Sequence, residues 1–193
     1  MNPNIHNLGT GVVLLTYGRG YPFSSVPWRN GFWEELAKEL LYRQIRNYNR
    51  AAGYARADAT HVRITLGHGK FIEATTPDVR IGSTEELIGK RVAICVPQQY
   101  FNVSNAVEWW ESWVGTRYDY TELADFALSG ILKLFPKRLG ILDRKDRFVC
   151  STFAAGGFNI GGFDFGMDWQ SISPAFYENK SQLFRVTYCT VGT

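Results

Sequence analysis

The segment from Thr60 to Ala74 leaves the chain little choice of local structure. Between Thr60 and Leu66 apolar and polar residues alternate, placing Val62, Ile64 and Leu66 on one side of an extended backbone and His61, Arg63 and Thr65 on the other. Gly67-His68-Gly69 then supplies a tight connection and Lys70-Phe71-Ile72-Glu73-Ala74 resumes the extended pattern, so the segment predicts a β-hairpin. If the apolar faces of the two strands pair, pleat alternation forces His61 and Glu73 together onto the opposite face. A three-residue loop has the parity this needs and leaves Glu73 diagonal to His61, within reach of a long side chain. A slip of one residue separates them.

Other segments fill in an α+β chain. Gly11-Val-Val-Leu-Leu-Thr16 is a short apolar run suited to a buried strand, followed by a Gly-, Pro- and Ser-rich loop over 18–31. Trp33, Leu36, Leu40 (or Ala37, Leu41) and Ile45 recur at helical steps, predicting a helix from Phe32 to Ala52 that stops at Gly53. Arg43, Arg46 and Arg50 share one face of it, which reads as a solvated face. Ser83-Thr-Glu-Glu86 before Leu87 has the form of a capping box, and Arg91 to Val96 reads as a strand. A helix is expected over Asn102–Val114, with Val107, Trp110, Trp113 and Val114 on its apolar face and Gly115 as its stop. Another is expected from Thr121 to Phe135, closed by Pro136 and followed by a basic loop over 137–147. Phe148 to Ala155 reads as a helix beginning at or just before Cys150 and ending at Gly156-Gly157, and residues 183–189 alternate as a last strand.

With 193 residues, 45% of them hydrophobic, one core and one domain over residues 1–193 are expected. The net charge of +3 is spread along the chain, short of the concentrated basic patch that nucleic-acid binding needs. No apolar run approaches membrane-spanning length, and residues 1–10 lack the basic start and apolar stretch of a secretion signal. The expectation is a soluble protein, cytoplasmic or delivered by a phage particle.

Three cysteines, at 95, 150 and 189, fit neither a disulfide framework nor a zinc site. Cys95 lies in an unbroken apolar run and reads as core, and Cys189, near the C-terminus with no base nearby in sequence, reads as structural. Cys150 opens a helix, where the positive end of the helix dipole stabilises a thiolate and backbone amides can bind an oxyanion. Of the three histidines, His6 falls in an expected frayed terminus and His68 in a turn. His61 remains, with Glu73 as its same-face neighbour. A carboxylate holding one ring nitrogen leaves the other free to take a thiol proton.

The order Thr60-His61-Val62, Phe71-Ile72-Glu73-Ala74, Gly115-Thr-Arg-Tyr118-Asp119 and Phe148-Val149-Cys150-Ser151 resembles the circularly permuted papain-like family. This is the YiiX-like branch of the NlpC-type amidases, which shares its residue order with the lecithin:retinol acyltransferases. In ordinary papain-like enzymes the cysteine precedes the histidine; in the permuted group the histidine comes first, on a strand, and the cysteine later, opening a helix. Gly11 to Leu15 resembles the family's opening strand, and Ile172-Ser173-Pro174-Ala-Phe-Tyr177 its closing segment. Val12, Arg63 and Thr152 depart from the family's usual residues, and 32–52 reads as a helical insertion.

The resemblance implies an antiparallel sheet packed against helices, with Cys150 as nucleophile, His61 as base, Glu73 as third member and Tyr118 framing the oxyanion site. The implied activity is a cysteine hydrolase that cleaves an amide bond through an acyl-enzyme, without metal or organic cofactor. Its substrate would be a small-molecule or peptide amide, with peptidoglycan fragments first among the candidates. The alternatives are a lipid acyltransferase or thioesterase, if Trp109, Trp110 and Trp113 line a groove rather than the core, and an inactive binding module.

Overall fold

The computed structural model describes residues 4–18, 32–75, 77–117 and 149–192, with the side chains of 32–41 outside the description. It is an α+β structure built on one six-stranded antiparallel sheet. The strands are β1 (Val13–Thr16), β2 (His61–Gly67), β3 (Lys70–Ala74), β4 (Val79–Ser83), β5 (Arg91–Pro97) and β6 (Phe184–Thr190), in the spatial order β4-β3-β2-β1-β5-β6. The helices are α1 (Phe32–Ala51), α2 (Val103–Ser112), α3 (Cys150–Ile160) and α4 (Pro174–Asn179).

Burial on both faces explains the unbroken apolar runs at the centre of the sheet. Val13, Leu14 and Leu15 of β1 and Val92, Ala93 and Cys95 of β5 have no exposed surface, because each face of the sheet is covered. On one face Val13, Leu15, Val62, Ile64, Ile72 and Ala74 meet Cys150, Phe153 and Ala154 of α3. On the other, Leu14, Phe71, Val92 and Ile94 close over Ile5 and Leu87 in a smaller core.

The hairpin has the expected register. Ile64 pairs with Ile72 and Thr65 with Phe71, and a shift between Thr65 and Gly67 absorbs the odd residue of the loop. His68 and Gly69 have φ of 51° and 69°, the two left-handed residues that a two-residue turn needs to match strand twist. The capping box is also present, with Ser83 and Glu86 closing a short 3-10 turn at Thr84–Leu87.

Four expectations need correction. Gly156-Gly157 does not stop α3, which runs on to Ile160. A Cβ at Gly156 would stand 2.5 Å from the Trp109 ring and one at Gly157 only 2.2 Å from that of Trp110, so the glycines are there to let α2 approach. The Trp110 indole N–H reaches α3 and donates to the carbonyls of Phe153 (3.2 Å) and Ala154 (3.3 Å). Val114 is 48% exposed, because α2 ends at Ser112 and the helical period no longer applies beyond it. His6 is not frayed: it sits in a 3-10 turn, Ile5–Asn7, with Nδ1 2.7 Å from Thr84 Oγ1. Arg46 is not wholly solvated, since its guanidinium donates to the Gly18 carbonyl at 3.1 Å. The expected helix over 121–135, the basic loop over 137–147 and Tyr118 lie outside the described residues.

Candidate active site

Strand parity brings the predicted acid and base together. Glu73 is 1% exposed, and its Oε2 lies 2.6 Å from His61 Nε2. The β2–β3 register, carried one step beyond Ile64–Ile72, sets Arg63 opposite Glu73 and His61 diagonal to it. Arg63 Nε approaches the same Oε2 at 2.8 Å. The other oxygen, Oε1, takes Arg80 from β4, with Nε at 2.9 Å and Nη2 at 2.6 Å. Arg80 in turn grips Glu86, whose Oε1 also accepts the Ser83 N–H. Burial alone would raise the Glu73 carboxyl, but the hydrogen bond from His61 and the charges of His61, Arg63 and Arg80 hold it at about 2. Glu73 is therefore an anion at any ordinary pH.

An anion at Oε2 decides which ring nitrogen of His61 carries the proton. Nε2 must donate to it, which leaves the Nδ1 lone pair for another partner. Cys150 lies near enough to His61 to favour the protonated imidazole. Burial by itself lowers the imidazole's affinity for a proton and Arg63 lowers it further, yet Cys150 and Glu73 outweigh them and the net shift is upward. Arg63 is held on the far side by Thr16, whose Oγ1 accepts from Nη1 at 2.8 Å.

Cys150 is the first residue of α3 and is 2% exposed. Val149 stands at the N-cap in an extended conformation and makes no side-chain cap hydrogen bond. The Tyr177 hydroxyl, on α4, donates to the Ser151 carbonyl at 3.0 Å and pins this turn from behind. Ile45, Tyr48, Ser173 and Pro174 form a shallow, largely apolar pocket beside the sulfur. The other thiols differ: burial and the nearby Glu178 push Cys95 up, and burial pushes Cys189 up.

His61 also opens onto a cleft of about 750 Å³ at one end of the sheet, lined among the described residues by Tyr17, Arg63, Lys90, Arg91 and several threonines. Among the described residues no tryptophan lines it. Trp110 is fully buried, and the rings of Trp109 and Trp113 lie 5.8 Å apart, tilted at 59°.

Cys150, His61 and Glu73 thus converge, while Tyr118 lies outside the described residues. Sequence reasoning missed Arg80 and treated Arg63 only as a departure. Both could have been found: Val79-Arg80-Ile81 alternates as a strand should, and an antiparallel partner for β3 sets Arg80 opposite Glu73. Among the described residues, no three His, Cys, Asp or Glu side chains group as metal ligands, and no helix is long and apolar enough to cross a membrane. The sequence matches no family model and no curated protein.

Proposed function

We propose that the chain is a cysteine hydrolase of permuted papain-like, NlpC-type architecture, acting on an amide bond through a Cys150–His61–Glu73 triad. The observation that carries this reading is one imidazole between a buried carboxylate on Nε2 and a thiol at a helix start. In the proposed reaction Nδ1 of His61 takes the Cys150 proton as the sulfur attacks the substrate carbonyl. Glu73 holds the resulting imidazolium in place without accepting its proton. Backbone amides at the start of the helix that Cys150 opens are suited to stabilise the oxyanion. The imidazolium then protonates the leaving amine, and water, activated by the same nitrogen, releases the acid from the thioester.

The apolar pocket of Ile45, Tyr48 and Pro174 beside Cys150 favours a second reading, acyl transfer or thioester hydrolysis on the same triad. An acyl chain retained by the purified protein, seen by mass spectrometry, separates it from the first.

Iodoacetamide labelling at graded pH, mapped to each cysteine in wild type and in His61→Ala, tests the triad. Fast labelling of Cys150 below the pH at which Cys189 reacts, slowed in the variant, supports it. Labelling of Cys150 that is no faster than that of Cys189, or indifferent to the substitution, sinks it and leaves a non-catalytic binding module.

A further inference from the structure

One end of the sheet gathers three cations, and among the described residues only one of them has a carboxylate partner. β1, β3 and β6 end there and β2 and β5 begin, and between them lies the cleft onto which His61 opens. Its described lining contains Arg63, Lys90 and Arg91 and no Asp or Glu. Arg63 is engaged by Glu73 at 2.8 Å. Lys90 and Arg91 are exposed, and neither forms an ion pair with a described residue.

Exposed cations are common, but Arg91 is held in an uncommon way. Its guanidinium carbon lies 5.2 Å from the centre of the Tyr17 ring and 5.7 Å from that of Tyr188. Both phenols donate to a single oxygen, Glu178 Oε2, at 2.9 and 3.1 Å. Glu178 is 5% exposed, and its other oxygen is buried with no hydrogen-bond partner. A bare buried carboxylate oxygen costs stability and calls for a reason. Glu178 anchors the ring of Tyr17, over which Arg91 lies, and that of Tyr188, which Arg91 shares with Arg56. Burial pushes the Glu178 carboxyl up, against its two phenol donors.

The backbone of the cleft decides which anion fits. Its amides are already engaged: Gly18 donates to Thr60 Oγ1, Gly89 to the Val191 carbonyl and Lys90 to the Leu87 carbonyl. No nest of free N–H groups is left to cradle a tetrahedral phosphate among these three residues. A stacked guanidinium beside a lysine suits a planar carboxylate.

We propose that this cleft is an anion subsite in which Arg91 and Lys90 hold a carboxylate borne by the amide substrate. The proposal rests on the hydrolase reading only in calling that anion part of a substrate; the site itself does not depend on turnover. Calorimetric titration of the wild-type protein at low ionic strength with glutarate, its neutral counterpart glutaramide and inorganic phosphate tests it. Glutarate is expected to bind at least tenfold more tightly than glutaramide. That advantage disappears in Lys90→Gln/Arg91→Gln and returns only in part in Arg91→Lys, which keeps the charge and loses the planar fork. Equal binding of glutarate and glutaramide, glutarate binding unchanged in the double variant, or phosphate bound more tightly than glutarate overturns the assignment. If glutarate binds as expected but Cys150 shows no labelling advantage, the hydrolase reading falls and the anion site stands.

Discussion

Among the described residues two glutamates are buried, and they are pushed in opposite directions. Glu73 and Glu178 are 1% and 5% exposed, so desolvation opposes the charge of each. Glu73 meets an imidazole and two guanidinium groups and is held at about 2. Glu178 meets two phenols on one oxygen and no described hydrogen-bond donor on the other, and its carboxyl is raised. Burial sets the scale of the penalty, but the donors around the carboxylate decide whether it is overcome. The first glutamate is built as a permanent charge that can stabilise a cation. The second is built as a fixture for two aromatic rings.

Substitution should break this contrast unequally. Glu73→Gln leaves Arg63 buried without its counter-ion and is expected to cost about 3–5 kcal/mol of stability, read from urea denaturation. Acid should erode the same contribution in the wild type. The folded Glu73 carboxyl, at about 2, lies below its ordinary value of 4.5, so its contribution is complete above pH 4.5 and is lost as pH falls through 2. That loss, of about 3 kcal/mol at one unit per 1.36 kcal/mol, should be missing from a denaturation series on Glu73→Gln. Glu178 has the opposite sign: its raised carboxyl destabilises at neutral pH, and its share improves as pH falls toward 4.5. His61→Ala, which removes the group that reads the Glu73 charge, should slow alkylation of Cys150 at neutral pH by about a hundredfold. Smallest of all, Glu178→Gln should change stability at neutral pH by no more than about 1 kcal/mol, since the phenols keep an acceptor and no described cation loses an ion pair. A loss for Glu178→Gln as large as that for Glu73→Gln would show that both carboxylates are full charges and dissolve the distinction.

What was legible in the sequence was what a period of two or the start of a helix can carry. Val62, Ile64, Ile72 and Ala74 declared the buried face of the hairpin, and parity did the rest for His61 and Glu73. Cys150 could be set at a helix start because Val149 and Ser151-Thr152 flank it as a strand-to-helix change. Arg80 escaped because the alternation of Val79-Arg80-Ile81 marks a strand without naming its neighbour, and it was not carried on to a pairing with β3 that sets Arg80 opposite Glu73. Gly156-Gly157 misled for a related reason. Glycine marks both a helix end and a close approach, and only the position of Trp109 and Trp110 tells which. The anchoring of Tyr17 and Tyr188 by Glu178 joins residues 161 and 10 positions apart and left no trace in any local pattern.

The contact between those glycines and tryptophans also constrains how this chain can change over generations. A side chain at Gly157 collides with Trp110, and a smaller residue at 110 leaves a void where the indole lay against α3. Each single step is therefore downhill, although a larger residue at 157 opposite a smaller one at 110 could fill the same space. Such positions drift as a pair or not at all, and related chains should show them changing together while the helix that begins with Cys150 stays where it is.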